Sequence, residues 1–215
     1  MRWHRRLSLL GLPLFGLLTS DASGQAPPRA SPRAALRVTE GALLGGDAGP
    51  FTVEAPKVRA VMREVTAQDV TLDFTYLGPT AKQLALGSGA LRQQVALKLR
   101  AQDGCNLVYA TWRFAPKNTV VVSVKRNPGQ ATSAECGNRG YQNLIPGEHA
   151  QPPALQEGAH HVLRAALDHA ELSVWIDGQR VWRGAVGDQA ALLRGPVGMR
   201  TDNVRISFSL RAPAR

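Results

Sequence analysis

The sequence predicts an all-β domain, a β-sandwich built from many short strands. Three observations point there. Apolar and polar side chains alternate strictly over residues 70–76, with Val70, Leu72, Phe74 and Tyr76 on one face and Thr71, Asp73 and Thr75 on the other. An Asp177-Gly178 pair, which tolerates the positive φ of a tight hairpin turn, separates the apolar runs 171–176 and 180–183. No stretch carries an amphipathic helical period of useful length.

The chain has 215 residues, of which about 165–180 remain once an N-terminal segment is set aside. That suffices for one core and roughly 10–14 strands. The N-terminal segment reads as a cleavable signal peptide over residues 1–24. Arg2, Arg5 and Arg6 precede an apolar run at 7–18, and Ala22-Ser23-Gly24 supplies small residues for cleavage. The run is too short to span a bilayer, so the mature protein is expected to be secreted or periplasmic, with no membrane insertion. Residues 25–35 (QAPPRASPRAA) lack periodicity and read as a flexible linker, the sandwich as 36–210, and 211–215 as a tail.

Strands follow in order at 36–38 and 42–44 around Glu40-Gly41, at 58–65, at 70–76 and at 94–100. In the last of these Val95, Leu97 and Leu99 oppose Ala96, Lys98 and Arg100. Over 106–114, Leu107, Tyr109, Thr111 and Arg113 face one way and Val108, Ala110, Trp112 and Phe114 the other. Residues 119–124 form a β-branched strand that ends at the turn string Arg126-Asn127-Pro128-Gly129. Residues 127–158, rich in Gly, Pro, Asn and Gln, read as a long loop. Strands at 161–167, 171–176, 180–183, 197–199 and 204–210 close the domain, with one helical turn at 190–193.

Export makes the two cysteines legible. Cys105 and Cys136 are an even pair in an oxidising compartment, so one structural disulfide is expected, tying the long loop to the sheet. Its entropic contribution is about 3–4 kcal/mol.

The string LSVWIDGQRVWRG and the following GPVGMRTDNVRISF resemble the closing strands of concanavalin A-like lectin/glucanase domains. In those domains a strand, a DG turn and a strand precede a G-x-V-G-h-R-x-D-N-h-x-h-x-F strand. The segments LRVTEGALLGG and DVTLDFTYLG are similar to the first strands of the 3-keto-disaccharide hydrolase-like subfamily. The resemblance covers residues 36–210 and implies a jelly-roll sandwich. It says little about function, because this fold hosts lectins, glycosidases, lyases and structural modules alike. The E-x-D-x-x-E strand of the retaining glucanases is missing, since no Glu here has Asp two positions on.

The formal net charge is +10, and removing residues 1–24 leaves about +8. Such a surface favours acidic partners, although a genome rich in arginine produces the same excess: Arg far outnumbers Lys here. Side by side, the outward faces of three strands would join Lys98, Arg100, Tyr109, Thr111, Arg113, Ser123 and Lys125 into a patch suited to a carboxylated or sulfated sugar. Arg supplies a bidentate fork and Tyr a ring face. The alternative is a solvated sheet surface blunted by cations. Trp112, Trp175 and Trp182 are either core or sugar platforms, and Trp175, opposite Leu172, Val174 and Ile176, is the best exposed of them.

Thr201-Asp202-Asn203 reads as a turn rather than a calcium site, and His160-His161 point to opposite faces, so no metal or other cofactor is expected. There is no G-x-S-x-G and no Walker loop. Nucleic acid as a partner would rest on charge alone and conflicts with export. The expectation is an exported sandwich that binds carbohydrate, an acidic glycan or cell-surface polymer, without catalysis. The ligand-binding residues would be Lys98, Arg100, Tyr109, Arg113, Lys125 and Trp175. Two alternatives stand beside it. One is a glycoside-processing hydrolase or lyase using Glu135 near Arg139 and Tyr141; the other is an adaptor module for another exported protein.

Overall fold

The computed structural model describes residues 33–45 and 50–213. The expected signal peptide and most of the expected linker lie outside the described residues; Arg33–Ala35, at the linker's end, make one 3-10 turn. The strands in chain order are β1 (Leu36–Glu40), β2 (Phe51–Val53), β3 (Lys57–Met62), β4 (Asp69–Pro79), β5 (Gln93–Leu99), β6 (Leu107–Ala115) and β7 (Thr119–Lys125). After them come β8 (Tyr141–Asn143), β9 (Glu148–His149), β10 (His160–Asp168), β11 (Glu171–Ile176), β12 (Gln179–Ala185), β13 (Gly198–Asp202) and β14 (Val204–Arg211). Two short helices, α1 (Ser133–Cys136) and α2 (Gly187–Ala191), interrupt the series.

The strands form two seven-stranded antiparallel sheets packed as a jelly-roll sandwich. The front sheet runs β1-β3-β13-β5-β6-β7-β8 and the back sheet β2-β14-β4-β10-β11-β12-β9. Alternation decides what each face does. Along β4, Val70, Leu72, Phe74 and Tyr76 all turn inward, as the sequence predicts, and β10, β11 and β14 show the same period. The sheets meet through aromatic contacts: Phe74 of the back sheet packs edge-on against Trp112 of the front sheet at 6.0 Å between ring centroids. Trp112 is fully buried, its indole N–H donating to Asn118 Oδ1 at 2.8 Å, and Trp182 is buried too. Neither ring is a surface platform. Asp177 and Gly178 both adopt positive φ in the β11–β12 turn, as the dipeptide predicts.

Residues 127–158 are more structured than composition suggests. They contribute α1 and one edge strand to each sheet, β8 beside β7 and β9 beside β12. These strands are two and three residues long, too short for an alternation pattern to register. The Cys105–Cys136 disulfide pins this segment to the start of β6, with 5.9 Å between the Cα atoms. In the central strand β13, a Cβ on Gly198 would lie 2.2 Å from the Ala60 carbonyl oxygen. The close approach of β3 therefore requires glycine there.

Phe74→Ala is expected to cost about 3–5 kcal/mol of unfolding free energy, read by urea denaturation. A loss below about 1 kcal/mol, the ordinary size for a surface substitution, would mean the sheets do not depend on this contact.

Candidate functional site

The outward face of the front sheet carries three lateral rows of side chains, set by strand register. One row is Gly198, Lys98, Tyr109, Ser123 and Asn143. The next is Arg59, Arg200, Ala96, Thr111 and Val121. The third is Lys57, Asp202, Gln94, Arg113 and Thr119. Over this face lies a cleft of about 200 Å³, with Gln94, Thr111, Arg113, Val121 and Ser123 in its floor. Arg92, Leu86 and Ser88 from the β4–β5 loop and Asn138, Tyr141 and Asn143 from the β7–β8 region complete its lining with Tyr109 and Arg200.

Long side chains reach across this face from both sides. Tyr141 on β8 and Arg200 on β13 stand four strand positions apart, about 19 Å in a flat sheet, yet the Arg200 Nη1 donates to the Tyr141 hydroxyl at 3.3 Å. Tyr109 lies between them, stacked on Tyr141 at 6.1 Å and covered by the Arg200 guanidinium at 5.3 Å. Its phenol is buried, and burial pushes its pKa up to about 12.

Asp202 is the pivot beneath the cleft. It is fully buried and accepts from Arg59 Nη2 at 2.8 Å, Gln94 Nε2 at 2.7 Å and Arg200 Nε at 2.7 Å. Burial alone would raise its carboxyl pKa; the charges of Arg200 and Arg59 outweigh that and hold it below the usual range. Conversely, burial works against the Arg200 charge and the Asp202 carboxylate more than restores it. Beside Asp202, Asn203 takes positive φ and fastens the β4–β5 loop through Leu84 and Arg92. Every polar group of the Asp202-Asn203 pair is thus spent on the protein itself, and the two residues act as a turn and an anchor.

Two cations in the lining are not spent this way. Among the described residues, neither the Arg92 nor the Arg113 guanidinium has a carboxylate partner, and the buried Arg113 Nε has no acceptor. Arg113 is shifted below its ordinary pKa, by burial first and then by the neighbouring Arg92. The buried Gln94 Oε1 likewise lacks a donor. Among the described residues, no Asp or Glu lines the cleft.

Of the residues singled out in the sequence, the structure brings Tyr109 and Arg113 to the cleft, together with Thr111 and Ser123. It does not assemble the other cations with them, so the expected single patch does not form. Lys98 faces outward, as alternation requires, but is buried against Tyr109, Arg59 and Arg200. Lys125 is buried as well, its ammonium donating to the Gly104 and Gly137 carbonyls at 3.3 and 2.9 Å and lying 3.1 Å from Cys136 Sγ. Arg100 leaves the strand in a left-handed conformation and bonds the Ala190 carbonyl at 2.9 Å, away from the cleft. Trp175 lies on the back sheet beneath the Arg164 guanidinium, 4.8 Å from its ring centre. Glu135 does not line the cleft: its carboxylate caps α1, accepting from the Ala131 and Thr132 amides and the Thr132 hydroxyl. His160 and His161 bond Asp73 and Asp177 separately, on opposite faces of β10.

The residues missed were Gln94, Arg200, Arg92, Asn138 and Asn143. Gln94 and Arg200 were within reach of strand alternation, Gln94 two residues before Ala96 and Arg200 between Gly198 and Asp202. Arg92 and Asn138 come from loops, which carry no comparable signal.

No protein-family profile matches this chain, and no curated protein sequence matches it. Solved structures do. Carbohydrate-binding module CBM66 from Bacillus subtilis superposes with a TM-score of 0.55 at 11% identity, covering 83% of this chain and 96% of that one. A protein from Parabacteroides distasonis, provisionally assigned as a glycosyl hydrolase, gives 0.48 at 8% identity over 84% of this chain and 89% of its own. The Caenorhabditis elegans galectin LEC-6 gives 0.43 at 10% identity over 85% and 98%. The first of these shares the fold; the other two are too distant to argue from.

Asp202→Asn should cost about 3–5 kcal/mol by urea denaturation, because it leaves Arg200 buried without its counter-charge and Arg59 with only Glu40, at 3.6 Å. A neutral result would remove Asp202 as the pivot. Lys98 gives a pH signature. Burial, then Arg59 and Arg200, push its pKa down to about 7, with Glu40 opposing and Arg37 adding to the effect. Because the folded value lies below the ordinary one, the cost of the charged lysine is fully present below about pH 7 and is relieved as pH rises towards about 10. Lys98→Met should therefore stabilise the fold most near about pH 6, by a few kcal/mol, with a gain that shrinks near about pH 10. An equal gain at both values would show that Lys98 is not desolvated.

Proposed function

We propose that this chain is an exported sandwich that binds an acidic glycan in the front-sheet cleft, without catalysis. The observation that carries the reading is the Arg92–Arg113 pair: two neighbouring guanidiniums that, among the described residues, have no counter-ion and sit in a cleft lined by no carboxylate. A bound carboxylate or sulfate relieves their repulsion. Thr111, Ser123, Asn138 and Asn143 offer hydroxyl and amide partners for sugar hydroxyls, and the part-exposed Tyr141 offers a ring face. A cleft of about 200 Å³ suits one sugar ring, being smaller than the ~300–1,000 Å³ of typical drug-sized pockets. The shared fold of CBM66, a carbohydrate-binding module by name, is consistent with a sugar ligand. Export to an oxidising compartment accords with the disulfide.

The hydrolytic alternative needs two carboxyl groups across the scissile bond, about 5–5.5 Å apart for retention and about 6.5–9.5 Å for inversion. Among the described residues, the cleft offers none. Abstraction of a proton by Tyr109, as in a lyase, is disfavoured by the same burial that lifts its pKa to about 12.

Binding of purified protein to acidic and neutral glycans, compared at low and high salt, tests the reading. Acidic members are expected to bind with an affinity that falls as salt rises. Arg113→Ala is expected to weaken that binding by about 10–100-fold, the loss of one charge-assisted hydrogen bond, without changing the unfolding midpoint. Unchanged affinity would sink the site, and equal binding of neutral glycans would sink the acidic preference.

A further inference from the structure

The loop between β4 and β5, residues 80–92, lines the cleft and meets its opposite wall at Asn138. Its base is fixed where β13 hands over to β14. There Asn203 Oδ1 accepts from the Leu84 amide at 2.7 Å, and its Nδ2 donates to the Leu84 and Arg92 carbonyls at 2.9 and 2.8 Å. Lys57 Nζ adds a bond to the Ala85 carbonyl at 3.0 Å. The tip closes on itself, the Leu86 amide donating to the Ala90 carbonyl at 2.9 Å and the Gly89 amide to the Leu86 carbonyl at 2.8 Å.

Strand register shows where this strap travels. Its base adjoins the start of β5, which pairs with the end of β6 and so lies at the Thr119 end of β7. Asn138 lies at the other end, just before Tyr141 pairs with Lys125. The two nevertheless meet: a Cβ on Gly87 would lie 3.4 Å from the Asn138 Cβ. Three residues past the Leu84 anchor reach at most about 11 Å, so the strap and the Asn138 segment meet partway along the sheet face and bridge it between them. On another side, the Arg200–Tyr141 hydrogen bond closes the cleft over Tyr109.

We propose that the cleft takes the terminal residue of an acidic glycan, inserted end-on, and that the strap of residues 80–92 is the element that excludes residues internal to a chain. This rests on the acidic-glycan reading above. A polymer threaded across the sheet meets the strap closed on Asn138, and one laid along the strands meets Tyr141 and Arg200. A chain end needs only one open side.

The test compares polygalacturonate, alginate and chondroitin sulfate as intact polymers and as fragments of the same material at equal mass. Cutting chains to about a tenth of their length multiplies the ends about tenfold, and protein bound per gram is expected to rise about tenfold with them. A strap variant, with Leu86–Ala90 replaced by two glycines so that both Asn203 anchors remain, is expected to bind intact and fragmented polymer equally per gram. Equal binding per gram by the unaltered protein would overturn the end-on mode while leaving the glycan reading intact. End-dependence that persists in a folded strap variant would remove the strap from the mechanism. If no polymer binds in either form, the glycan reading falls and the end-on mode with it.

Discussion

A single buried carboxylate organises the front sheet. Asp202 receives hydrogen bonds from residues on three adjacent strands: Arg59 on β3, Arg200 on its own strand and Gln94 on β5. Withdrawing a carboxylate and two guanidiniums from water costs several kcal/mol per ion, and only close, well-satisfied geometry recovers it. That requirement fixes three rotamers at once. It holds Arg200 over Tyr109, turns the Gln94 amide so that its nitrogen faces Asp202, and leaves the Gln94 Oε1 without a donor. The next residue, Asn203, carries the chain to the back sheet while fastening the strap. The floor and the roof of the cleft thus hang from consecutive residues.

Lys125 plays a comparable part on the other side. Its ammonium joins the Gly137 carbonyl and the Cys136 sulfur, in a segment with little apolar surface of its own, to the Gly104 carbonyl of the β5–β6 loop. Composition alone would leave residues 127–143 loose, for they bury few hydrophobic groups. The disulfide and the lysine supply the constraint that a core would otherwise provide, and Asn138 and Tyr141 are held at the cleft as a result. Burial, then Arg200 and Arg59, push the Lys125 pKa down to about 8, which shows how far this charge has been drawn out of water.

The strands were legible in the sequence because the period of two leaves little freedom: the faces assigned across β6 and β7 are those the structure shows, with Val108, Ala110 and Trp112 inward and Tyr109, Thr111 and Arg113 outward. Depth was not legible. Alternation says which way Lys98 and Lys125 point, but whether that side is wet depends on loops lying over it, and polar loops announce no docking surface. Strand order was hidden as well. Trp175 reads as exposed from its own strand, and only the pairing of β10, β11 and β12 places it on the sheet opposite the cleft. Arg100 departs for a different reason, a left-handed backbone that ends the strand pattern one residue early.

What separates the cations of this face is whether each has already found its counter-charge. Arg59 and Arg200 pair with Asp202 and hold the sheet; Lys98 is buried beside them, its proton weakened by burial first and then by their charge. Arg92 and Arg113 have no such partner and face the cleft. An incoming anion need not break an existing ion pair to reach them, so the favourable part of its binding is not offset by disrupting the scaffold. A patch built from paired arginines would charge each ligand the cost of that disruption. The division follows from position: Arg59 and Arg200 flank the only buried carboxylate of the sheet face among the described residues, while Arg113 lies two strands along the same row, with Gln94 between it and Asp202.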